Sequence, residues 1–245
     1  MSYAMQLTDQ SRTTAILFLH GFTATPSELE PTAQLLRQRG FEVYTPLLPG
    51  HGNSPQELNR SNWKDWFDKV NETLDQINDQ HERIIVTGLS MGGLLALLAA
   101  VRLAEKVDGV VAINAPIWAL SFPMNCLWQF SFLLPPLPCS VKKAKLEALP
   151  GREAYDVYPV RALRSMLSLR KLVMRECSRI SLPASIIQSR MDEQVSPRSG
   201  AWLVEKIINA DYTELYLAGH VATIGVEREK IVEAICQLDQ RLNEK

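Results

Sequence analysis

Short apolar runs alternate with helix-forming stretches along most of this 245-residue chain. Buried parallel strands are short and continuously apolar, and three runs of this type lie at residues 14–19, 83–87 and 184–188. Stretches typical of helices follow all three, at residues 27–39, 91–103 and 197–208. The alternation predicts an α/β fold, a mostly parallel, doubly wound sheet with helices on both faces. Ligands of such sheets bind at the carboxyl ends of the strands.

Further elements continue the pattern on either side. Ser61 has the hydroxyl of a helix N-cap, and apolar residues line one face of the helix that it would begin, up to about Ile77. A strand is predicted at 213–217, and the last helix at 227–242.

One segment, residues 115–181, interrupts the alternation. It is rich in proline, methionine and aromatic residues, and it lies between two predicted strands. We interpret it as an inserted helical cap above the strand ends, with residues 1–114 and 182–245 forming the core domain. The alternative interpretation is ordinary packing of a second layer on the sheet.

The net charge of −1 is the sum of two regions of opposite charge. The segment 115–181 carries a net charge of +6 and the rest of the chain −7. Because the chain as a whole is not basic, we expect no nucleic-acid partner. The basic segment either attracts anionic substrates or an acidic lipid surface, or is a solvated face with some charges paired.

The chain start and the cysteines favour a cytoplasmic protein. Residues 1–12 are polar and lack the apolar stretch of a signal peptide, and no apolar run reaches the roughly 20 residues of a membrane span. Four cysteines without C-x-x-C spacing predict reduced thiols. No metal-binding or nucleotide-binding motif occurs, so we expect neither a metal nor a cofactor. The oligomeric state, monomer or homodimer, is left open.

The sequence Gly88-Leu-Ser-Met-Gly92 has the form G-x-S-x-G, directly after a predicted strand and directly before a predicted helix. In this context the serine sits on a tight, strained turn that exposes its hydroxyl at the strand end. The helix N-terminus behind it favours developing negative charge. Ser90 is therefore the predicted nucleophile.

With this motif the chain resembles the α/β-hydrolases, and among them the small bacterial carboxylesterases and monoacylglycerol lipases. The resemblance spans nearly the whole chain in the family's order. It rests on five segments: His20-Gly-Phe-Thr23, Leu48-Pro-Gly-His-Gly52, Gly88-Leu-Ser-Met-Gly-Gly93, Asp192-Glu-Gln-Val-Ser-Pro197 and Gly219-His220. The cap matches no motif of the family, so the resemblance does not imply a particular substrate.

A serine hydroxyl needs a base, and the chain has only four histidines. His81 precedes the nucleophile strand, at the wrong end of the sheet, and is interpreted as a surface residue. His20 resembles the family's oxyanion-loop histidine, and His51 lies in a loop that shapes the site wall in the family. His220 alone fits the order Ser, acid, His, and is the predicted general base.

The acid that orients the imidazole should follow the strand at 184–188. Asp192 does so and is the predicted acid, and Glu193 is the adjacent competitor. Two backbone N–H groups should receive the oxyanion. The turn geometry assigns one to Met91, and the resemblance assigns the other to Phe22.

These residues predict a serine carboxylesterase that acts on a small-molecule ester with an apolar acyl or alcohol part, from short- or medium-chain esters to monoacylglycerols. One alternative is the same triad acting on thioesters, amides or C–C bonds, or as an acyltransferase. Another is a ligand sensor of the same fold with slow turnover. The natural substrate, the chain-length preference and any movement of the cap do not follow from the sequence.

Overall fold

The computed structural model describes residues 14–119, 140–142 and 151–244. In chain order its strands are β1 (Thr14–Leu19), β2 (Glu42–Tyr44), β3 (Arg83–Leu89), β4 (Gly109–Ile113), β5 (Ser140–Lys142), β6 (Val157–Pro159), β7 (Ala184–Ser189) and β8 (Ala210–Leu215). The α-helices described are α1 (Glu30–Gln38), α2 (Pro55–Leu58), α3 (Trp63–Ile77), α4 (Met91–Arg102), α5 (Val160–Glu176), α6 (Arg198–Lys206) and α7 (Arg228–Asn243).

Six strands form one parallel sheet in the order β2-β1-β3-β4-β7-β8. The chain runs outward from β1 to one edge and then returns to build the other half from β3. This is the doubly wound arrangement, so the predicted fold class is confirmed. The carboxyl ends of β1 and β3 lie side by side, because Leu19 pairs with Gly88.

Alternate side chains of the sheet enter two separate cores. Ala15, Leu17 and Leu19 of β1 pack with α3, α4 and α5 on one face. Ile16 and Phe18 pack with α1 and α7 on the other face. Burial of apolar side chains on both faces requires nearly continuous apolar strands, which is the pattern that identified them.

The edge strand β8 differs from its prediction. It covers Ala210–Leu215 rather than 213–217. At the sheet edge its residues Asp211 and Tyr212 are exposed, so the first half of the strand lacks an apolar signature. The strand ends early because the carboxylate of Glu227 accepts the N–H groups of Leu217 and Ala218, at 2.6 and 2.9 Å.

The 115–181 segment contains β5, β6 and α5 in its described part. The strands β5 and β6 form an antiparallel pair, and α5 buries Ala162, Leu169 and Val173 in the same core as α4. Residues 120–139 and 143–150, with most of the aromatic and methionine residues that suggested a cap, lie outside the described residues. The boundaries of a separate cap stay a prediction.

The N-cap of α3 is Asn62, not Ser61 as the sequence suggested. Asn62 Oδ1 accepts the N–H of Lys64 at 2.9 Å, and Asp65 Oδ2 accepts the N–H of Asn62 at 2.8 Å, which completes a capping box. The Ser61 hydroxyl instead donates to the carbonyl of Leu58 and accepts from Trp66 Nε1. Replacing the cap therefore tests the start of this helix.

Asn62→Ala should lower the free energy of unfolding by about 1 kcal/mol, because it leaves a helix-terminal N–H without its side-chain acceptor. Asn62→Ser, which retains an acceptor oxygen, should lose less than half of that. Urea unfolding followed by circular dichroism measures both. Equal unfolding midpoints for Asn62→Ala and the unmodified protein would contradict this assignment of the cap.

Candidate active site

Ser90 stands at the junction of β3 and α4 in a strained backbone conformation, with φ 55° and ψ −117°. Its N–H donates to the carbonyl of Ile113 at 2.8 Å, which fixes the turn to the neighbouring strand. The turn also requires glycine. A Cβ on Gly88 would lie 2.1 Å from the carbonyl carbon of Gly92, and a Cβ on Gly92 would lie 2.1 Å from the oxygen of Leu19.

Ser90, His220 and Asp192 form one hydrogen-bonded chain. The Ser90 hydroxyl lies 3.0 Å from Nε2 of His220, and Nδ1 of His220 lies 2.8 Å from Oδ2 of Asp192. His220 and Asp192 are 6% and 3% exposed, so little water competes for these contacts. Three loops, after β3, β7 and β8, thus bring together the three side chains selected from the sequence.

Asp192 and Glu193 contact different parts of the same histidine. The second oxygen of Asp192 accepts the N–H groups of Gln194 and Val195, both at 2.8 Å, which holds the carboxylate toward the ring. Glu193 Oε2 instead accepts the backbone N–H of His220 at 3.0 Å. The geometry therefore places Asp192 on the imidazole and Glu193 on the loop that carries it.

The charges around His220 favour its protonated form. Burial alone would lower the pKa of His220, but the nearby charge and hydrogen bond of Asp192 outweigh it, with smaller contributions from Glu193 and Glu28. The net effect raises the pKa of His220 above 6.5. A raised pKa makes the ring a stronger proton acceptor for a hydroxyl.

His20 supports the loop after β1 and is kept neutral. Its Nδ1–H donates to the carbonyl of Gly21 at 2.9 Å, and its Nε2 accepts the N–H of Leu48 at 3.1 Å. Burial lowers the pKa of His20. The ring thereby joins the loop that carries Phe22 to the loop at residues 48–52.

The other two histidines, His51 and His81, pack against aromatic side chains. The ring of His51 packs against those of His20 and Trp66, with centroids 4.9 and 5.8 Å away. His81 differs from its interpretation as a surface residue, because its side chain is only 5% exposed and its Nε2 lies 2.9 Å from the hydroxyl of Tyr44.

The predicted oxyanion donors lie on two adjacent elements. Met91 is the first residue of α4 and is buried directly after Ser90. Phe22 belongs to the loop after β1, next to Thr23, which has a positive φ of 68°. A Cβ on Gly21 would come within 3.4 Å of Ser90 Cβ, so this loop lies against the serine.

Asn114 is a functional residue that the sequence analysis did not select. It follows β4 with φ 47°, and its buried amide joins the loops around the site. Its Nδ2 donates to the carbonyl of His220 at 2.8 Å and to Ser189 Oγ at 2.9 Å, while its Oδ1 accepts the N–H of Ser189 at 2.7 Å. The sequence feature that could have identified Asn114 is its position, a polar residue directly after the buried strand β4.

Glu227 holds the other end of the His220 loop. Its carboxylate accepts the N–H groups of Leu217 and Ala218 and pairs with Lys230 at 2.8 Å. Burial alone would raise the pKa of Glu227, but the hydrogen bonds from Lys230 and these backbone groups lower it to about 2. No sequence pattern marked this residue.

The lowered pKa of Glu227 makes a prediction for acid stability. The ionised carboxylate stabilises the fold above the ordinary glutamate pKa, and this contribution is lost as the pH falls from about 4.5 toward 2. Glu227→Gln should therefore unfold more easily than the unmodified protein at pH 7, and the difference should shrink as the pH falls through this range. Urea unfolding at several pH values measures it.

The matched control is Glu229→Gln, which removes the same charge from an exposed position two residues away. It should leave the pH dependence of stability nearly unchanged. A Glu227→Gln protein whose deficit stays constant from pH 7 to pH 3 would contradict the role given to the ionised carboxylate.

Neither a metal site nor a membrane span emerges from the described ranges. Within residues 14–119, 140–142 and 151–244, no three His, Cys, Asp or Glu side chains are grouped to hold a metal ion. No helix in those ranges is both long and apolar enough to cross a bilayer.

Comparison with known proteins identifies the family of this chain. A family described as serine aminopeptidase, S33, matches residues 10–221. A thermostable monoacylglycerol lipase of Bacillus sp. (strain H-257) is 30% identical, over 89% of this chain and 87% of its own. A carboxylesterase of Bacillus subtilis (strain 168) is 24% identical, over 94% and 93%.

Solved structures of lipolytic enzymes have the same fold as this chain. One from a study of LipS and LipT, two metagenome-derived lipolytic enzymes, superposes with a TM-score of 0.84 at 29% identity, covering 94% of this chain and 95% of its own. The monoacylglycerol lipase of Paleococcus ferrophilus has a TM-score of 0.76 at 20% identity, with the same coverage. The chain therefore belongs to the serine aminopeptidase S33 family and is a hydrolase of the α/β-hydrolase fold.

Proposed function

We propose that this hydrolase is a serine carboxylesterase that cleaves short- to medium-chain carboxylic esters or monoacylglycerols through an acyl-enzyme. Ser90 is the nucleophile, His220 the general base and Asp192 the residue that orients the imidazole. The observation that carries the proposal is the continuous hydrogen-bonded chain from Ser90 Oγ through both nitrogens of His220 to Asp192. Its relatives named as a monoacylglycerol lipase and a carboxylesterase support ester cleavage.

Acylation begins when His220 Nε2 takes the Ser90 proton and Oγ attacks the ester carbonyl carbon. The carbonyl electrons move onto oxygen, and the N–H groups of Met91 and Phe22 stabilise that oxyanion. Asp192 stabilises the imidazolium formed in the same step. When the tetrahedral intermediate collapses, the C–O bond to the alcohol breaks, and His220 gives its proton to the departing oxygen.

Deacylation repeats these steps with water as the nucleophile. His220 Nε2 removes a proton from a water molecule, whose oxygen attacks the acyl carbon of the Ser90 ester. Collapse of the second intermediate breaks the bond to Oγ, and the imidazolium returns the proton to Ser90. The products are the free acid and the unmodified enzyme.

Aromatic side chains beside the oxyanion loop support a substrate with an apolar part. The ring of Phe22 stacks on that of Tyr158 with an angle of 10° between planes and centroids 6.2 Å apart. The ring of Trp66 lies 6.0 Å from Phe22 on another side. These rings make the surroundings of Phe22 apolar, which supports an apolar acyl or alcohol group in the proposed substrate.

Amide cleavage is the second candidate function, because the matched family is described as serine aminopeptidase. The same three side chains serve both reactions, and the difference lies in the leaving group. An amine must receive a proton from His220 before it departs, which makes amides the slower substrates. Amino-acid naphthylamides assayed beside matched esters distinguish the two candidates.

Hydrolysis of p-nitrophenyl esters from acetate to laurate tests the proposal directly. The unmodified protein should turn over many times on at least one of these esters, and Ser90→Ala should lose about 10³-fold or more in kcat. Ester hydrolysis that survives Ser90→Ala would contradict the nucleophile. One acylation event without steady turnover would indicate the slow ligand sensor instead.

The identity of the acid is tested by Asp192→Asn and by Glu193→Gln as its matched control. Asp192→Asn should lower kcat by about 10³- to 10⁴-fold, because asparagine favours the wrong imidazole tautomer. The acid limb of its pH-rate profile should lie at lower pH than that of the unmodified enzyme, since the Asp192 charge raises the pKa of His220. Glu193→Gln should lower kcat by less than tenfold. A larger loss of kcat in Glu193→Gln than in Asp192→Asn, measured across the pH-rate profile, would exchange the two roles.

A further inference from the structure

The loop that carries Phe22 is bound along one side by a short stretch of chain, residues 151–155, which we call the returning segment. The returning segment lies just before β6, within the 115–181 segment predicted to be a cap. The two stretches run antiparallel and are joined by backbone contacts: Thr25 N–H to Glu153 O at 3.2 Å, Tyr155 N–H to Thr23 O at 2.9 Å, and the bridge between Ala24 and Ala154. Ser27 Oγ also accepts the N–H of Glu153 at 2.9 Å.

A buried ion pair lies at the centre of this contact. Glu28 is 1% exposed, and its Oε1 accepts the N–H of Gly21 at 2.7 Å. Its Oε2 accepts from Nε of Arg152 at 2.9 Å, and the Arg152 side chain is 14% exposed. One carboxylate thus joins the residue before Phe22 to the returning segment.

The position of Glu28 matters for the chemistry proposed above. Gly21 lies against Ser90, and a Cβ on Gly21 would come within 2.9 Å of Glu28 Oε1. A carboxylate this near opposes the negative charge of an oxyanion, unless a cation neutralises it. Arg152 is in contact with Glu28 and supplies that cation.

The hydrogen bond to Gly21 also fixes the direction of the backbone. With the Gly21 N–H held by Glu28 and the Gly21 carbonyl held by His20 Nδ1, neither peptide unit beside Gly21 is free to rotate. The second of these units contains the Phe22 N–H. A flipped unit at this position would turn that donor away from the oxyanion.

We propose that Glu28 is a positioning residue of the oxyanion loop, and that Arg152 couples it to the returning segment. The N–H groups of Met91 and Phe22 then stabilise the oxyanion fully only while the returning segment contacts residues 21–28. This inference rests on the proposed function, because it assigns the loop to the oxyanion of that reaction. It adds a connection between the inserted segment and the catalytic step itself.

The coupling predicts an effect on kcat rather than on KM, because the oxyanion exists only in the transition state and the intermediates. It also predicts opposite effects of the two partners on the pH profile. The charged groups that raise the pKa of His220 are Asp192, Glu193 and Glu28, and Arg152 offsets the last of these. Removing the cation should raise this pKa further, and removing Glu28 should lower it.

The test compares Arg152→Met, Glu28→Gln, their double variant and the control Arg161→Met. The control removes one cation from an exposed position on the same inserted segment. Arg152→Met should lower kcat on the best p-nitrophenyl ester by about tenfold, with less than threefold change in KM. The double variant should recover only part of the lost kcat, because no unpaired negative charge remains but the contact between residue 28 and the returning segment is still missing.

The acid limb of the pH-rate profile tests the effect of these charges on His220, because the loss of a purely structural contact would not shift it. It should shift to higher pH in Arg152→Met and to lower pH in Glu28→Gln, with no shift in Arg161→Met. The proposal would be overturned if the effects of Arg152→Met and Glu28→Gln on kcat were additive in the double variant. It would also be overturned if the acid limbs of the two single variants shifted in the same direction.

Hydrogen exchange gives a measurement independent of activity. Deuterium uptake in peptides covering residues 20–25 should be faster in Arg152→Met than in Arg161→Met, because the loop has lost the buried ion pair that supports its backbone contacts with the returning segment. Unchanged uptake would overturn the coupling while leaving the esterase proposal intact. Absence of ester turnover in the unmodified protein, with faster uptake in Arg152→Met, would instead overturn the proposed function alone.

Discussion

The close approach of α4 to β1 and β3 is the constraint on which the site depends. At the turn between β3 and α4 the backbone of Gly92 lies so near Leu19 that a single methyl group would overlap the Leu19 oxygen. This contact brings the end of β1, and with it the loop that carries Phe22, beside Ser90. The positive φ of Ser90 is the local result, and the N–H of Ser90 is secured by the carbonyl of Ile113 on the next strand. Two strands and a helix thereby determine the position of one hydroxyl.

Acidic side chains hold the loops around that hydroxyl by accepting backbone N–H groups. Asp192 holds the loop after β7, Glu193 and Glu227 hold the loop after β8, and Glu28 holds the loop after β1. Each carboxylate replaces the water that a loop N–H would otherwise bind. Three of the four carboxylates, those of Asp192, Glu193 and Glu28, also raise the pKa of His220 against the effect of its burial. Loop geometry and basicity of the histidine therefore have one physical origin.

The sequence predicts the parts of this protein that follow from local pattern. Strands buried on both faces are continuously apolar, and few histidines are present, so β1, β3 and His220 were selected directly. The start of β8 was missed because an edge strand needs no apolar face, and Asn62 was missed because two adjacent residues can both cap a helix. Asn114 and Glu28 contact residues that only the folded chain brings near. The assignments of Phe22 and Met91 as oxyanion donors stay predictions, as do the limits of the cap.

The order of the strands has a consequence for how the protein is made. Ser90 and the carbonyl of Ile113 that secures its turn are separated by 23 positions, and both are present once the first half of the chain has been synthesised. Asp192 and His220 emerge from the ribosome much later, in the loops after β7 and β8, the last two strands of the sheet. Since synthesis runs from the N-terminus, the nascent chain contains Ser90 without its base for about half of synthesis. It gains the proton acceptor only after β8, the last strand of the sheet, has been synthesised.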